Sequence, residues 1–388
     1  MTDFEDIRPY NDAEVRPVLD RLLADSELHD TIAGMKYPRL SKLLPWLFRP
    51  LVAKRLKAAF ASATDVDSFQ KVIGHYWWAL IEKQSEEIAV SGLDQLPRGK
   101  SYLYICNHRD IAMDPALVGL SLDRAGRKTM RIAIGDNLLS KPFTSDLMRL
   151  NKSFIVKRSV SGRREKLQAL MQLSSYIRHS ITVEQSSIWI AQREGRAKDG
   201  LDRTDTALIK MLMLSKPKEQ SFAEAAAELN IVPVSLSYEL DPCDASKARE
   251  LYSKKELGSY QKGEHEDLQS IYDGIVGQKG HIHVAFGRPL AGDELESADS
   301  VAEAIDRQVL KNYHQHPTNL IAYELLNGND DRVDALKKVL DLSDEQWSEA
   351  RVRFEARIAA MPAEHREYAI AIYANPVVSQ LELLESKG

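Results

Sequence analysis

Apolar residues recur every three or four positions over residues 65–88, at Val66, Phe69, Val72, Ile73, Tyr76, Trp77 and Leu80. That period predicts a helix ending near Ser91 and Gly92. The pattern then changes. Short runs rich in β-branched and aromatic residues follow at 102–106, 130–134, 153–157, 187–191, 231–237 and 281–286, each bounded by polar or turn-forming residues, and each predicts a strand. Helical patterns lie between them, notably over 163–179, where Leu167, Leu170, Met171 and Ile177 form a stripe, and over 205–214. Beyond Asn312 the strand pattern stops. Residues 316–385 read as several helices with a turn at Asn327-Gly328-Asn329 and breaks near Pro362 and Pro376.

Alternating strands and helices predict an α/β fold, a mixed sheet flanked by helices, with amphipathic helices before it and an all-helical C-terminal extension after it. The expected organisation is an acidic segment at 1–35, a basic amphipathic region at 36–95, an α/β domain at 96–315 and the extension at 316–388. The chain of 388 residues shows no internal repeat.

Charge sharpens this picture. The net balance of −5 argues against a nucleic-acid binder, and Cys106 and Cys243 alone cannot staple so long a chain, which fits a reducing, cytoplasmic setting. The first 30 residues carry nine acidic and three basic side chains, the reverse of a secretory leader. No apolar run is long enough to span a bilayer. From residue 31 to residue 64 there is no acidic residue, while Lys36, Arg39, Lys42, Arg49, Lys54, Arg55 and Lys57 interleave with Leu40, Leu43, Trp46, Leu47, Phe48 and Leu51. Such a segment suits the surface of an anionic membrane or, more plainly, a helix pair with a solvated basic face. Pro45 and Pro50 are expected to break it into short pieces.

Candidate chemistry sits after the predicted strands, where reactive groups gather in open α/β sheets. Cys106-Asn107-His108-Arg109-Asp110-Ile111-Ala112-Met113-Asp114 places an imidazole just past a strand, with carboxylates two and six residues later. A histidine with a carboxylate partner is a general base. No G-x-S-x-G elbow supplies a nucleophile, and Cys106 lies within a strand, so the base would activate a hydroxyl of the substrate. A protein-kinase catalytic loop, which shares His-Arg-Asp, is excluded because Pro115 stands where that loop needs Asn. His281 and His283 share one strand face without a third ligand, and no metal is expected.

These residues resemble the glycerolipid acyltransferase family, whose first motif is Asn-His followed closely by Asp. The family's Asp stands five residues after the His; here Asp114 stands six after, leaving Asp114, as first choice, and Asp110 as candidate partners. The resemblance implies His108, Asp114 and Asp110 as catalytic candidates, flanked by Asn107 and Arg109. Ser153-Phe154-Ile155-Val156-Lys157-Arg158 resembles the second motif, with Arg158, and Lys157 beside it, toward an acceptor phosphate. Gln192-Arg193-Glu194-Gly195-Arg196 resembles the third, usually Phe-Pro-Glu-Gly-Thr-Arg, so that Glu194 and Gly195 match. Ile231-Val232-Pro233-Val234 resembles the fourth, at the wall of the acyl or acceptor site.

The family likeness implies transfer of a fatty acyl group from acyl-CoA or acyl carrier protein, as co-substrate and without a cofactor, to glycerol-3-phosphate or 1-acylglycerol-3-phosphate, at the inner face of a membrane. Forked Arg donors suit the phosphate. Other lysophospholipid or amino-lipid acceptors, hydrolysis, and a non-catalytic lipid-binding role are the competing readings.

Overall fold

The computed structural model describes residues 4–37, 40–139, 141–263 and 266–385, so Arg39 and the side chains of Lys36 and Lys42 lie outside the described residues. The strands are β1 (Ser85–Ser91), β2 (Leu103–Cys106), β3 (Arg131–Gly135), β4 (Ser153–Val156), β5 (Ile188–Ala191), β6 (Ile231–Tyr238) and β7 (Gly280–Phe286). Six of them fall on the predicted runs. The chain forms two units, one of residues 1–79 and 130–177, the other of 80–129 and 178–388.

In the second unit the strand order is β1-β7-β6-β2-β5. Strand β2 is parallel to both β5 and β6, and β1 is parallel to β7, while β6 and β7 run antiparallel, which makes the sheet mixed. Because β2, β5 and β6 are parallel, their carboxyl ends share one edge, and the loops carrying Asn107, Gln192 and Glu239 leave the sheet together. Strand β2 is buried on both faces, as expected for a sheet covered by helices.

Strand β1 departs from the predicted helix. The helix Val66–Gln84 ends sooner, and the chain pairs residue by residue with β7, with one slip of register between Ser85 and Glu87. Glu86-Glu87-Ile88-Ala89 has fair helical propensity; a strand partner nearly 200 residues away overrides it.

The C-terminal extension consists of helices Pro317–Asn327, Asp331–Leu340, Asp344–Ala359 and Ala363–Glu385 around Leu320, Ile321, Phe354, Ile372 and Val377. The turn at Gly328 and the break before Pro362 are as expected. Pro376 does not end a helix: Ala363–Glu385 runs through it.

The first unit pairs β3 with β4 and has its own core of Val15, Leu19, Phe60, Phe69, Phe143 and Leu150. Pro45 opens the helix Pro45–Ala59, but Pro50 lies inside it. The carbonyl it leaves unpaired, four residues back in the first turn, is on an exposed stretch where water can satisfy it.

One half-buried carboxylate makes stability depend on pH. Asp306, on the helix Ala298–Asn312, accepts hydrogen bonds from the Thr204 amide at 2.7 Å and its hydroxyl at 2.6 Å. Burial, reinforced by the Asp202 charge, nevertheless pushes its carboxyl up to about 6, against 3.8 when free. A raised acid contributes stability below its unfolded pKa and loses it as pH rises through the folded value. Asp306→Asn keeps an oxygen for Thr204 and should therefore raise the melting temperature relative to wild type at pH 7.5, with little difference at pH 4, as read by thermal denaturation at both pH values.

Candidate active site

The loop after β2 is built by its own polar side chains. Asn107 is fully buried: its Oδ1 accepts from the Leu236 amide at 2.8 Å and its Nδ2 donates to the Leu236 carbonyl at 3.0 Å, so the side chain replaces a peptide group against β6 and turns the chain out of the sheet. Asp110 Oδ1 then accepts from the amides of Ala112 and Met113, at 2.9 and 2.8 Å, opening the helix Met113–Arg124. Burial, with Asp114 beside it, pushes the Asp110 carboxyl upward. Asp110 thus caps the helix and is not the partner of His108.

Asp114 takes that place. Its Oδ2 accepts from His108 Nδ1 at 2.8 Å, from the Arg109 amide at 2.6 Å and from the Asp110 amide at 2.9 Å, and its Oδ1 accepts from the Tyr238 hydroxyl at 2.7 Å. Four donors and the first turn of a helix compensate a carboxylate that has no exposed surface. Burial and the neighbouring Asp114 charge push the Tyr238 phenol far up, so it remains a donor.

With a carboxylate on Nδ1, that nitrogen donates and Nε2 is left with its lone pair free to accept a proton. The imidazole side chain is 14% exposed, and its ring meets Trp189 edge-on at 5.7 Å. Burial pushes the Cys106 thiol well above its usual range, which removes it as a nucleophile.

The second segment of the site leaves β5. Alternation along the strand sets Trp189 and Ala191 on one face, the face on which Trp189 meets His108, and Arg193 follows two residues past the strand's end. The Ala197 amide donates to the His108 carbonyl at 2.7 Å, which ties this loop to the histidine. Gly195, at φ +76°, makes the left-handed turn between the two arginines. Among the described residues Arg193 Nε and Arg196 Nη1 are buried with no hydrogen-bond partner, and Arg193 makes a long ion pair with Asp199 at 3.9 Å. Glu194 is exposed on the same turn.

Other predicted residues have different roles. Arg109 is buried, its Nη2 donating to Asp202 Oδ2 at 2.6 Å and to the Gly200 carbonyl at 3.1 Å, with its guanidinium over the Tyr313 ring. Like Asn107, which donates to the same Asp202 oxygen at 3.1 Å, it is held by the protein, here through Nη2, while its Nε has no partner among the described residues. Pro233 is buried in β6 opposite Ile105, where alternation places it on the other face of the sheet from Trp189, so it does not line the His108 side.

Lys157 and Arg158 belong to the first unit. Lys157 pairs with Asp6 and donates to Gln172 at 3.0 Å, so its charge is met within that unit. The amides of Arg158 and Ser159 both donate to Asp136, and the Arg158 stem passes over Gly135, where a Cβ would crowd it.

Sequence reasoning missed Tyr238, Asp202 and Lys247. Tyr238 had a signal: it is the last residue of a strand parallel to β2, in phase with Leu236 and Val234. Asp202 and Lys247 had none, since both act through tertiary hydrogen bonds.

Residues 87–237 match the acyltransferase family model. Among solved structures, the chain is similar to the 1-acyl-sn-glycerophosphate (LPA) acyltransferase PlsC from Thermotoga maritima, at 13% identity and a TM-score of 0.37, over 76% of this chain and 94% of that one. No curated protein sequence matches the chain.

Proposed function

We propose that the protein is an O-acyltransferase that moves a fatty acyl group from a thioester, acyl-CoA or acyl carrier protein, to a hydroxyl of glycerol-3-phosphate or 1-acylglycerol-3-phosphate. The observation that carries this reading is the His108–Asp114 pair, tied through the Ala197 amide to a turn on which Arg193 Nε and Arg196 Nη1 have no acceptor among the described residues. Nε2 of His108 removes the hydroxyl proton of the acceptor as its oxygen attacks the thioester carbonyl. The tetrahedral intermediate expels the thiolate, which takes the proton back from the imidazolium. Asp114 balances the imidazolium charge meanwhile. No covalent acyl-enzyme forms, because among the described residues no activated nucleophile accompanies the base.

Arg193 and Arg196 hold the acceptor phosphate in this reading, by the forked geometry that guanidinium shares with phosphate. Arg193→Ala should raise the KM for lysophosphatidate by about 10- to 100-fold, the worth of a hydrogen bond to a charged group, with kcat little changed. An acceptor panel with and without phosphate tests it: if monoacylglycerol is acylated as well as lysophosphatidate, the arginines do not read phosphate.

A peripheral place on a membrane fits the first unit. No residue of the helix Pro45–Ala59 is buried; Leu43 and Trp46 are 74% and 72% exposed, and Lys54, Arg55 and Lys57 are exposed beside them. Among the described residues no helix is long and apolar enough to cross a bilayer. Binding to anionic vesicles that weakens with salt is the expected result, and equal binding to zwitterionic vesicles would count against the basic face.

A further inference from the structure

We propose that the C-terminal helix Ala363–Glu385, outside the segment that matches the family model, is part of the catalytic apparatus: two hydrogen-bonded struts from it hold Arg109, the residue after His108. This rests on His108 being the base of the proposed transfer.

The first strut reaches the Arg109 side chain. Pro376 has no N–H to give the Ile372 carbonyl one turn back, so that carbonyl faces outward without its helical partner. Gly200 packs against it. At φ +80°, the position where a Cβ would stand is occupied by the Ile372 oxygen, so only glycine fits, with its Cα–H directed at the carbonyl. One residue earlier, Asn375 Nδ2 donates to the Asp199 carbonyl at 2.7 Å. The turn fixed in this way presents the Gly200 carbonyl and the Asp202 carboxylate to the Arg109 guanidinium, at 3.1 and 2.6 Å, and Asp202 also receives Asn107 at 3.1 Å.

The second strut reaches the Arg109 backbone. The Tyr373 hydroxyl accepts from the Asp241 amide at 2.9 Å and donates to Asp244 Oδ2 at 2.7 Å. Asp241 pairs with Lys247, which is almost wholly buried and donates to the Arg109 carbonyl at 2.8 Å. The Arg109 amide in turn donates to Asp114 Oδ2, the oxygen that holds His108. Asn107 and Arg109, on either side of the histidine, are thus both held by Asp202, and one helix sets both ends of Arg109. Asp202, Lys247, Tyr373 and Asn375 are positioning residues on this account; none touches the imidazole.

The test uses full-length Asn375→Ala and Pro376→Ala. The second gives the Ile372 carbonyl an N–H and draws it away from Gly200, so a helix that only fills a core would be as stable or more stable for it. The expected result for both is a kcat lower by about 10- to 100-fold, as a small misplacement of the base produces, with KM within about twofold and melting temperature held. The proton NMR signal of His108 Nδ1–H, assigned by its loss in His108→Ala, should shift or broaden in both. An unchanged kcat together with an unchanged signal in folded variants overturns the proposal. Should Pro376→Ala not fold, Asn375→Ala, which loses one part-buried hydrogen bond, decides alone. The NMR signal needs no substrate, so a wild type inactive on every acceptor would refute the proposed function while the positioning claim is still decided.

Discussion

His108→Ala is expected to lower acyl transfer by about 10²- to 10⁴-fold, the usual worth of a positioned general base, while the protein keeps its fold. The imidazole stands at the edge of the site, and its only hydrogen bond among the described residues is to Asp114. Asp114 retains three other donors when the ring is removed, from Arg109, Asp110 and Tyr238. The loop around it is fixed by Asn107 on Leu236 and by Ala197 on the His108 carbonyl, and the latter survives the substitution because it is a backbone contact. Initial rates and thermal melts on the same preparations check both parts. Wild-type turnover in the folded variant would remove His108 from the mechanism.

The second large effect separates two carboxylates. Asp114→Asn can turn its amide oxygen toward the three N–H groups and its NH₂ toward the Tyr238 oxygen, so the histidine tautomer and most of the hydrogen bonds survive. The negative charge does not. An imidazolium forming in the transition state then lacks its counter-ion, and turnover should fall by about 10- to 100-fold, the worth of a charged hydrogen-bond partner. Asp110→Asn, in contrast, keeps the oxygen that Ala112 and Met113 need and should retain most of the activity. Comparable losses in the two variants would mean that Asp110 also serves the base.

Much of this site was legible in the strand pattern. Six runs of β-branched and aromatic residues became strands, and the His108 and Arg193 segments follow two of them because parallel pairing collects carboxyl ends. The sixth-residue spacing of Asp114 has a local explanation: Asp110 caps the Ala112 and Met113 amides, and the turn it makes absorbs the additional residue, so that Asp114 still falls in the first helical turn opposite His108.

What stayed hidden was set by partners distant in sequence. Lys157 reads as a phosphate ligand until Asp6, about 150 residues earlier, takes its charge. Arg109 reads as a substrate contact until Asp202, Gly200 and Tyr313 bury it. Strand β1 reads as helix until β7 pairs with it. Pro376 reads as a helix end, yet the helix persists around it, and the carbonyl it frees is met by Gly200.

The most direct test of the central claim follows an acyl label. Purified protein is given radiolabelled acyl-CoA, quenched, and separated into lipid, free fatty acid and protein fractions, with and without 1-acylglycerol-3-phosphate. Direct transfer by His108 predicts label in diacylglycerol phosphate only when the acceptor is present, and no label on protein in either case. Label bound covalently to the protein, or released as fatty acid at the same rate without acceptor, would contradict it.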